Sequence, residues 1–189
     1  MRGSAYALLV TLLGTIVLGA CAPRVDVRWR ESAVAVAAAP RARVAATQTP
    51  PTAATAELLT LLNAARSEAR WCGDELMPSA PPLAWEQALA EAAYGHSLAM
   101  AELGFVAHEA PDGSGVAERI VASGYRASGW GETIAAGYLA PAAALDGFLA
   151  SPSHCQVLMA DVFEVVGAAL VERPSSVYGS YWTVVVALP

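Results

Sequence analysis

An α+β fold is what this sequence predicts for residues 55–189, and three observations lead there. Apolar residues recur at spacings of three and four as far as about residue 150, the period of helices. After residue 160 the period changes, and two runs rich in Val, Ala, Tyr and Trp read as strands. Helices therefore come first and strands last, which argues for layered helices and sheet rather than alternating units around a parallel sheet.

Thr55 is a plausible N-cap for a first helix over 55–70, with Leu58, Leu61, Leu62, Ala65 and Ala69 on one stripe. A second helix is expected to begin just after Pro81-Pro82 and to end at Gly104, where glycine supplies a left-handed terminal residue. Trp85, Leu89, Ala92, His96, Met100 and Leu103 share its apolar face, so His96 is expected to be a structural, buried histidine satisfied by a backbone carbonyl or by Ser97. The run Ala110-Pro111-Asp112-Gly113-Ser114-Gly115 is a turn segment, followed by a short helix from about Val116 that stops at Gly124. Pro141 opens another helix, with Leu145, Phe148 and Leu149 inward, that ends before Ser151-Pro152. The strands are expected over 163–171 and 181–188, joined by a loop containing Pro174, two serines and Gly179.

Residues 1–20 have one charge, Arg2, then an uncharged apolar run over 5–18, the pattern of a secretory signal peptide. Leu18-Gly19-Ala20-Cys21 resembles the lipobox of bacterial lipoproteins, which implies cleavage before Cys21, lipidation of that cysteine and attachment to the membrane; an ordinary signal-peptidase site is the alternative. Lipidation of Cys21 leaves Cys72 and Cys155 as a pair in an oxidising compartment, where a disulfide is the simplest outcome. A metal-ligating thiol beside His154 is the other reading.

Residues 21–54 consist largely of Ala, Pro, Arg, Val and Thr and read as a flexible tether, with an r.m.s. reach of roughly 30 Å. The tether has Arg24, Arg28, Arg30, Arg41 and Arg43 against Asp26 and Glu31, whereas residues 55–189 are strongly acidic. A basic arm can lie along an anionic membrane while the acidic domain stays clear of it. An acidic domain in a chain without lysine excludes nucleic acid as a partner.

The three histidines are His96, His108 and His154, and the last two lie in short turn-like segments on either side of a Trp130-Gly131-Glu132 step. Two imidazoles and a carboxylate, if brought together, bind a divalent metal or move protons; the spacing alone does not bring them together. Their other reading is structural, with the histidines pinning loops to Glu132 and with Glu132 a buried, partnered carboxylate beside Trp130.

Leu62-Asn63-Ala64-Ala65-Arg66, Pro82-Leu83-Ala84-Trp85, His96-Ser97, Gly104-Phe105-Val106-Ala107-His108, Trp130-Gly131-Glu132-Thr133-Ile134-Ala135-Ala136-Gly137, Ser151-Pro152-Ser153-His154-Cys155, Val165-Val166-Gly167 and Tyr181-Trp182-Thr183 follow one another as in bacterial proteins of the CAP superfamily (cysteine-rich secretory proteins, antigen 5 and pathogenesis-related proteins), which residues 56–188 resemble. The resemblance implies an α-β-α sandwich with a small, mainly antiparallel sheet and a cleft containing His108, Glu132 and His154. Two departures stand out. The second glutamate of eukaryotic relatives has no counterpart in Phe148-Leu149-Ala150-Ser151, and Thr133 replaces the usual asparagine.

Two function classes remain. The resemblance implies a binding module in the cell envelope that holds a divalent cation, or a small lipid- or sterol-like ligand, in the His/Glu cleft, with Trp130, Tyr138 and Phe148 lining an apolar groove beside it. The alternative is a zinc-type hydrolase acting on envelope peptides, since two imidazoles and a carboxylate with an open position form a catalytic zinc shell. No His-Glu-x-x-His helix and no Gly-x-Ser-x-Gly elbow is present.

Overall fold

Helix α1 spans Ala53–Arg66 in the computed structural model, which describes residues 51–189. The expected signal segment, Cys21 and the expected tether as far as residue 50 lie outside the described residues. Among the described residues no helix is long and apolar enough to cross a membrane. The cap of α1 is Thr52, whose hydroxyl accepts from the Thr55 amide; Thr55, expected as the cap, lies buried in the first turn. The helix also stops earlier than its apolar stripe suggests, because Arg66 turns inward. Its fully buried guanidinium donates to the carbonyls of Pro81 (2.9 Å), Leu158 (2.6 Å), Ala160 (3.0 Å) and Phe163 (3.4 Å), tying the helix end to two distant segments. Beyond it the chain forms a hairpin the periodicity did not predict, β1 (Arg70–Cys72) and β2 (Glu75–Met77). Its two-residue turn is Gly73-Asp74, with Gly73 at φ +66°. Ala69, expected inside, is exposed.

Trp85 belongs to a two-residue strand, β3 (Ala84–Trp85), and α2 (Gln87–Leu103) begins after it, capped by the Glu86 carboxylate and closed by Gly104 in the left-handed region. Leu89, Ala92, His96 and Met100 are buried as the spacing predicts, whereas Leu103 is 64 % exposed. Helix α3 spans Val116–Ala122. Strand β4 (Gly129–Ala136) was not expected, since two glycines, Glu132 and Thr133 dilute any alternation. Helix α4 is Pro141–Ala150. A separate helix, α5 (Pro152–Met159), follows at once; Ser151-Pro152 closes one helix and, with Pro at its first position, opens the next. Strands β5 (Val165–Arg173) and β6 (Gly179–Leu188) complete the fold.

The larger sheet has the order β3-β5-β6-β4, antiparallel except for the short β3/β5 pair. Side chains alternate between its faces, and the clusters follow that alternation. Val166, Ala168, Trp182, Val184 and Val186 pack on Leu58, Leu62, Leu145, Phe148 and Leu158 of α1, α4 and α5. Ala169, Val185 and Ala187 face Leu89, Ala93 and Ile120 of α2 and α3. This is the α-β-α sandwich, and β6 reads as an unbroken apolar run because helices cover it on both faces. Gly167 lies where α2 comes closest: a Cβ there would collide with the backbone of Leu89 and Ala90. Cys72 and Cys155 form a disulfide, Cα–Cα 5.4 Å, joining the hairpin to α5.

Candidate functional site

The polar cluster gathers beside β4. Because β4 is an edge strand, groups from both helical layers meet there. Glu132 is the fourth residue of β4, pairs with Val185 and so points to the α2/α3 face, where its side chain is 2 % exposed. A buried carboxylate requires partners. One oxygen accepts from His108 Nδ1 at 2.9 Å and the other from Arg119 at 2.7 Å. His108 stands on the loop that the left-handed Gly104 releases from α2, and its side chain is 56 % exposed. Since the carboxylate accepts, Nδ1 carries the proton and Nε2 is left as the free nitrogen. His154, half-buried in the first turn of α5, lies with its ring centroid 6.4 Å from that of His108 and packs edge-on against Phe148 at 5.7 Å. Burial lowers the His154 pKa, and His108 nearby adds to that shift. The structure thus brings His108, Glu132 and His154 to one place, with Glu132 behind His108 rather than beside both rings.

His96 approaches from α2. Its Nε2 donates to the Ala107 carbonyl at 2.9 Å, and it lies 4.0 Å from Glu132. Burial lowers its pKa; the Glu132 charge opposes this, and Arg119 and His108 act with burial. Ser97 takes a different partner, the buried Thr183 hydroxyl at 2.8 Å.

Arg119 is the residue the sequence reading missed. From α3 it donates to Glu132, to the His108 carbonyl (3.0 Å) and to the Ser114 carbonyl (2.9 Å), so one guanidinium holds the His108 loop, the turn before α3 and the buried carboxylate together. Its only sequence signal is rarity, as one of five cations in residues 55–189. Thr133 is fully buried and its hydroxyl has no hydrogen-bond partner among the described residues.

The expected apolar groove is not assembled. Phe148 is buried in the core, while Trp130 (46 % exposed) and Tyr138 stand at opposite ends of β4. Tyr138 instead covers Gly147 of α4, and its carbonyl accepts from Ser180 and Trp182. Among the described residues no group of three or more His, Cys, Asp and Glu side chains has a geometry able to hold a metal ion.

Residues 59–186 match the model of the Cysteine-rich secretory protein family, CAP. The chain belongs to that family. Solved structures similar to this CAP domain include an extracellular protein containing an SCP domain from Bacillus anthracis, at 25 % identity and TM-score 0.59, covering 75 % of this chain and 45 % of that one. An outer surface protein from Borrelia burgdorferi matches at 16 % identity and TM-score 0.55, over 71 % of this chain and 94 % of its own. A cysteine-rich secretory protein from Staphylococcus aureus matches at 14 % identity and TM-score 0.52, over 71 % of this chain and 38 % of its own. The chain thus spans less than half of the first and third of these proteins, and the latter two likenesses show the fold alone. No protein of curated function matches the chain in sequence.

Proposed function

We propose that this CAP domain is an extracytoplasmic binding module, held at the membrane through lipidated Cys21, whose His108 and His154 side chains take a divalent cation, with zinc the best chemical match. The observation that carries the reading is the hydrogen bond from His108 Nδ1 to the buried Glu132 carboxylate, which orients the ring and leaves Nε2 free. A carboxylate behind a ligating histidine is the usual outer partner of a zinc site. With a Zn–N bond of about 2 Å, each ring centroid sits roughly 3 Å from the metal, so two rings on one tetrahedral ion lie about 5 Å apart, and the His108 and His154 rings, 6.4 Å apart, must close by about 1 Å through side-chain rotation to share it. Two protein ligands leave further positions to water or to a ligand's own oxygen, consistent with a docking role.

Binding is favoured over hydrolysis because both Glu132 oxygens are engaged, by His108 and Arg119, and the Arg119 charge lies against the carboxylate. Each oxygen keeps a second lone pair, but a general base must reach the water it deprotonates, and the Glu132 side chain is only 2 % exposed. Location outside the cytoplasm follows the family and the extracellular relative named above; the anchor rests on the lipobox-like Cys21.

The test is a calorimetric zinc titration at neutral pH of residues 21–189 with Cys21→Ala. A single saturable site is expected, abolished by His108→Ala and by His154→Ala and weakened about 10- to 100-fold by Glu132→Gln, the usual effect of removing an outer partner. A folded wild type that binds no zinc refutes the cation reading, and turnover of envelope peptides by wild type but not by Glu132→Gln would establish the hydrolase instead.

A further inference from the structure

The larger sheet has a second edge, opposite the one beside which the imidazole pair stands. Strand β3 covers only the first two residues of β5 and the chain then turns away into α2, so residues 167–173 have no strand on that side among the described residues. Main-chain groups alternate in direction along a strand. Those of Glu164 and Val166 face β3, since their carbonyls accept from the Ala84 and Glu86 amides. By that alternation the N–H and C=O groups of Ala168, Leu170 and Glu172 face the same way, and none of them has a hydrogen-bond partner among the described residues. The Glu86 carbonyl, next in line for the Ala168 amide, accepts from Ala90 in the first turn of α2 instead.

An open slot of about 410 Å³ lies along this edge, with Ala168 and Leu170 among its lining. Thr52 and Thr55 of the α1 end stand on one side of it, and Ala90, Glu91 and Tyr94 of α2 on the other. Open edges are ordinarily blunted by charge, proline or a bulge. Residues 167–171, Gly-Ala-Ala-Leu-Val, have neither charge nor proline, and their register with β6 is unbroken. Helices on both sides protect the edge from a second sheet while leaving room for one extended chain. The charge of the slot is one-sided. Glu91 is exposed on the α2 wall with one oxygen accepting from Gln87, no cation lines the slot, and residues 55–189 have five arginines against fifteen acids.

We propose that this slot takes an extended segment of another polypeptide as an added strand beside β5, with lysine or arginine at the position that meets Glu91. A row of alternating donors and acceptors is matched by another extended main chain, which is how peptides add a strand to a sheet. The segment's main chain pairs with Ala168 and Leu170, and its side chains alternate between the two walls. A cationic side chain turned to α2 lays its stem along Tyr94 and brings its charge to Glu91. An acidic segment meets Glu91 with like charge, and a fatty chain leaves the main-chain groups unpaired. The site is on the opposite edge of the sheet from His108 and His154 and does not rest on the cation reading.

The test is an NMR titration of the protein used for the zinc experiment, 15N-labelled, with four probes: acetyl-Thr-Val-Lys-Val-Lys-Thr-amide, its analogue with glutamate for both lysines, the lysine peptide N-methylated at its four central residues, and decanoate. The lysine peptide is expected to shift the Ala168, Leu170 and Glu172 amides saturably and to slow their exchange with solvent, while the Gly167 and Ala169 amides, which face β6, keep their exchange rates. The glutamate peptide is expected to bind about fivefold or more weaker, by a margin that narrows as salt is added. The N-methylated peptide, with its central donors removed, is expected to bind about tenfold or more weaker. Glu91→Lys, at an exposed helix position, is expected to fold and to reverse the preference between the two charged peptides. Absence of saturable shifts at these amides, equal binding of the N-methylated peptide or of decanoate, or a folded Glu91→Lys variant that still prefers the lysine peptide would overturn the proposal. Shifts of the same amides on concentrating the protein alone would assign the slot to a second copy of the chain and overturn it as well.

Discussion

Replacing Arg119 with alanine removes the guanidinium that bonds the buried Glu132 carboxylate and, with it, two bonds to loop carbonyls. The Glu132 side chain is 2 % and that of Arg119 12 % exposed, so the pair is shielded from solvent and its charge is not screened as a surface pair would be. Opposite charges about 4 Å apart attract by roughly 4 kcal/mol at an effective dielectric constant near 20. Much of that offsets desolvation in the intact pair, but removing one partner leaves the other buried and uncompensated, at a cost of about 3–5 kcal/mol. His108 stays within reach of Glu132 and recovers part of this, while the lost carbonyl bonds add up to about 1 kcal/mol each. The expected loss for Arg119→Ala is therefore about 3–5 kcal/mol, a large part of the roughly 5–15 kcal/mol a domain of this size possesses. Urea denaturation of wild type, Arg119→Ala, Glu132→Gln and the double variant measures it, with a coupling energy of about 2 kcal/mol expected. A loss below about 0.5 kcal/mol for Arg119→Ala, or additive single effects within that margin, would refute the reading of Arg119 as the counter-ion of the site.

Gly167→Ala places a methyl group against the backbone of Leu89 and Ala90, which cannot step aside as a side chain could; a loss of about 3 kcal/mol or more is expected, and an unchanged melting temperature would contradict the packing. Cys72→Ala with Cys155→Ala opens a loop whose ends are 83 residues apart, worth about 4 kcal/mol in the chain-entropy model, and the unreduced wild type is expected to unfold at correspondingly higher urea. Burial lowers the folded-state pKa of both His96 and His154, so below about pH 6.5 the unfolded chain binds protons that the folded chain refuses. Stability is therefore full above that pH and falls as pH drops through the window beneath it, by at most about 2.7 kcal/mol per pH unit for two protons. A melting temperature as high at pH 5 as at pH 7 would count against it.

Where one strong local signal coincided with a buried face, sequence and structure agree. The leucine stripe of α1, the Leu89 to Met100 face of α2, the glycine stop at Gly104, the proline start of α4 and the terminal strands all rest on periodicity or turn chemistry that operates within a few residues. Disagreement came where a local signal had two meanings. Ser151-Pro152 serves as a helix stop and equally as a helix start, and so concealed α5. Strand β4 has little β propensity of its own and is held in the sheet by eight register partners on β6. Helix α1 ends at Arg66 because of carbonyl acceptors as far as 97 residues away, which no local window contains.

The order of its motifs established the family of this chain, and their residue types named His108, Glu132 and His154, because the shared pattern preserves which residues stand together even when their distances are unknown. The sequence by itself also determined which faces are apolar and that the folded part is acidic. Only the tertiary structure decided that Glu132 faces inward, bonds His108 with one oxygen and is neutralised by Arg119 with the other, leaving two imidazoles at the surface. Those relations depend on the strand register of β4 and on the docking of α3 and α5 beside it, and register and docking are set by the whole core rather than by any short stretch of chain.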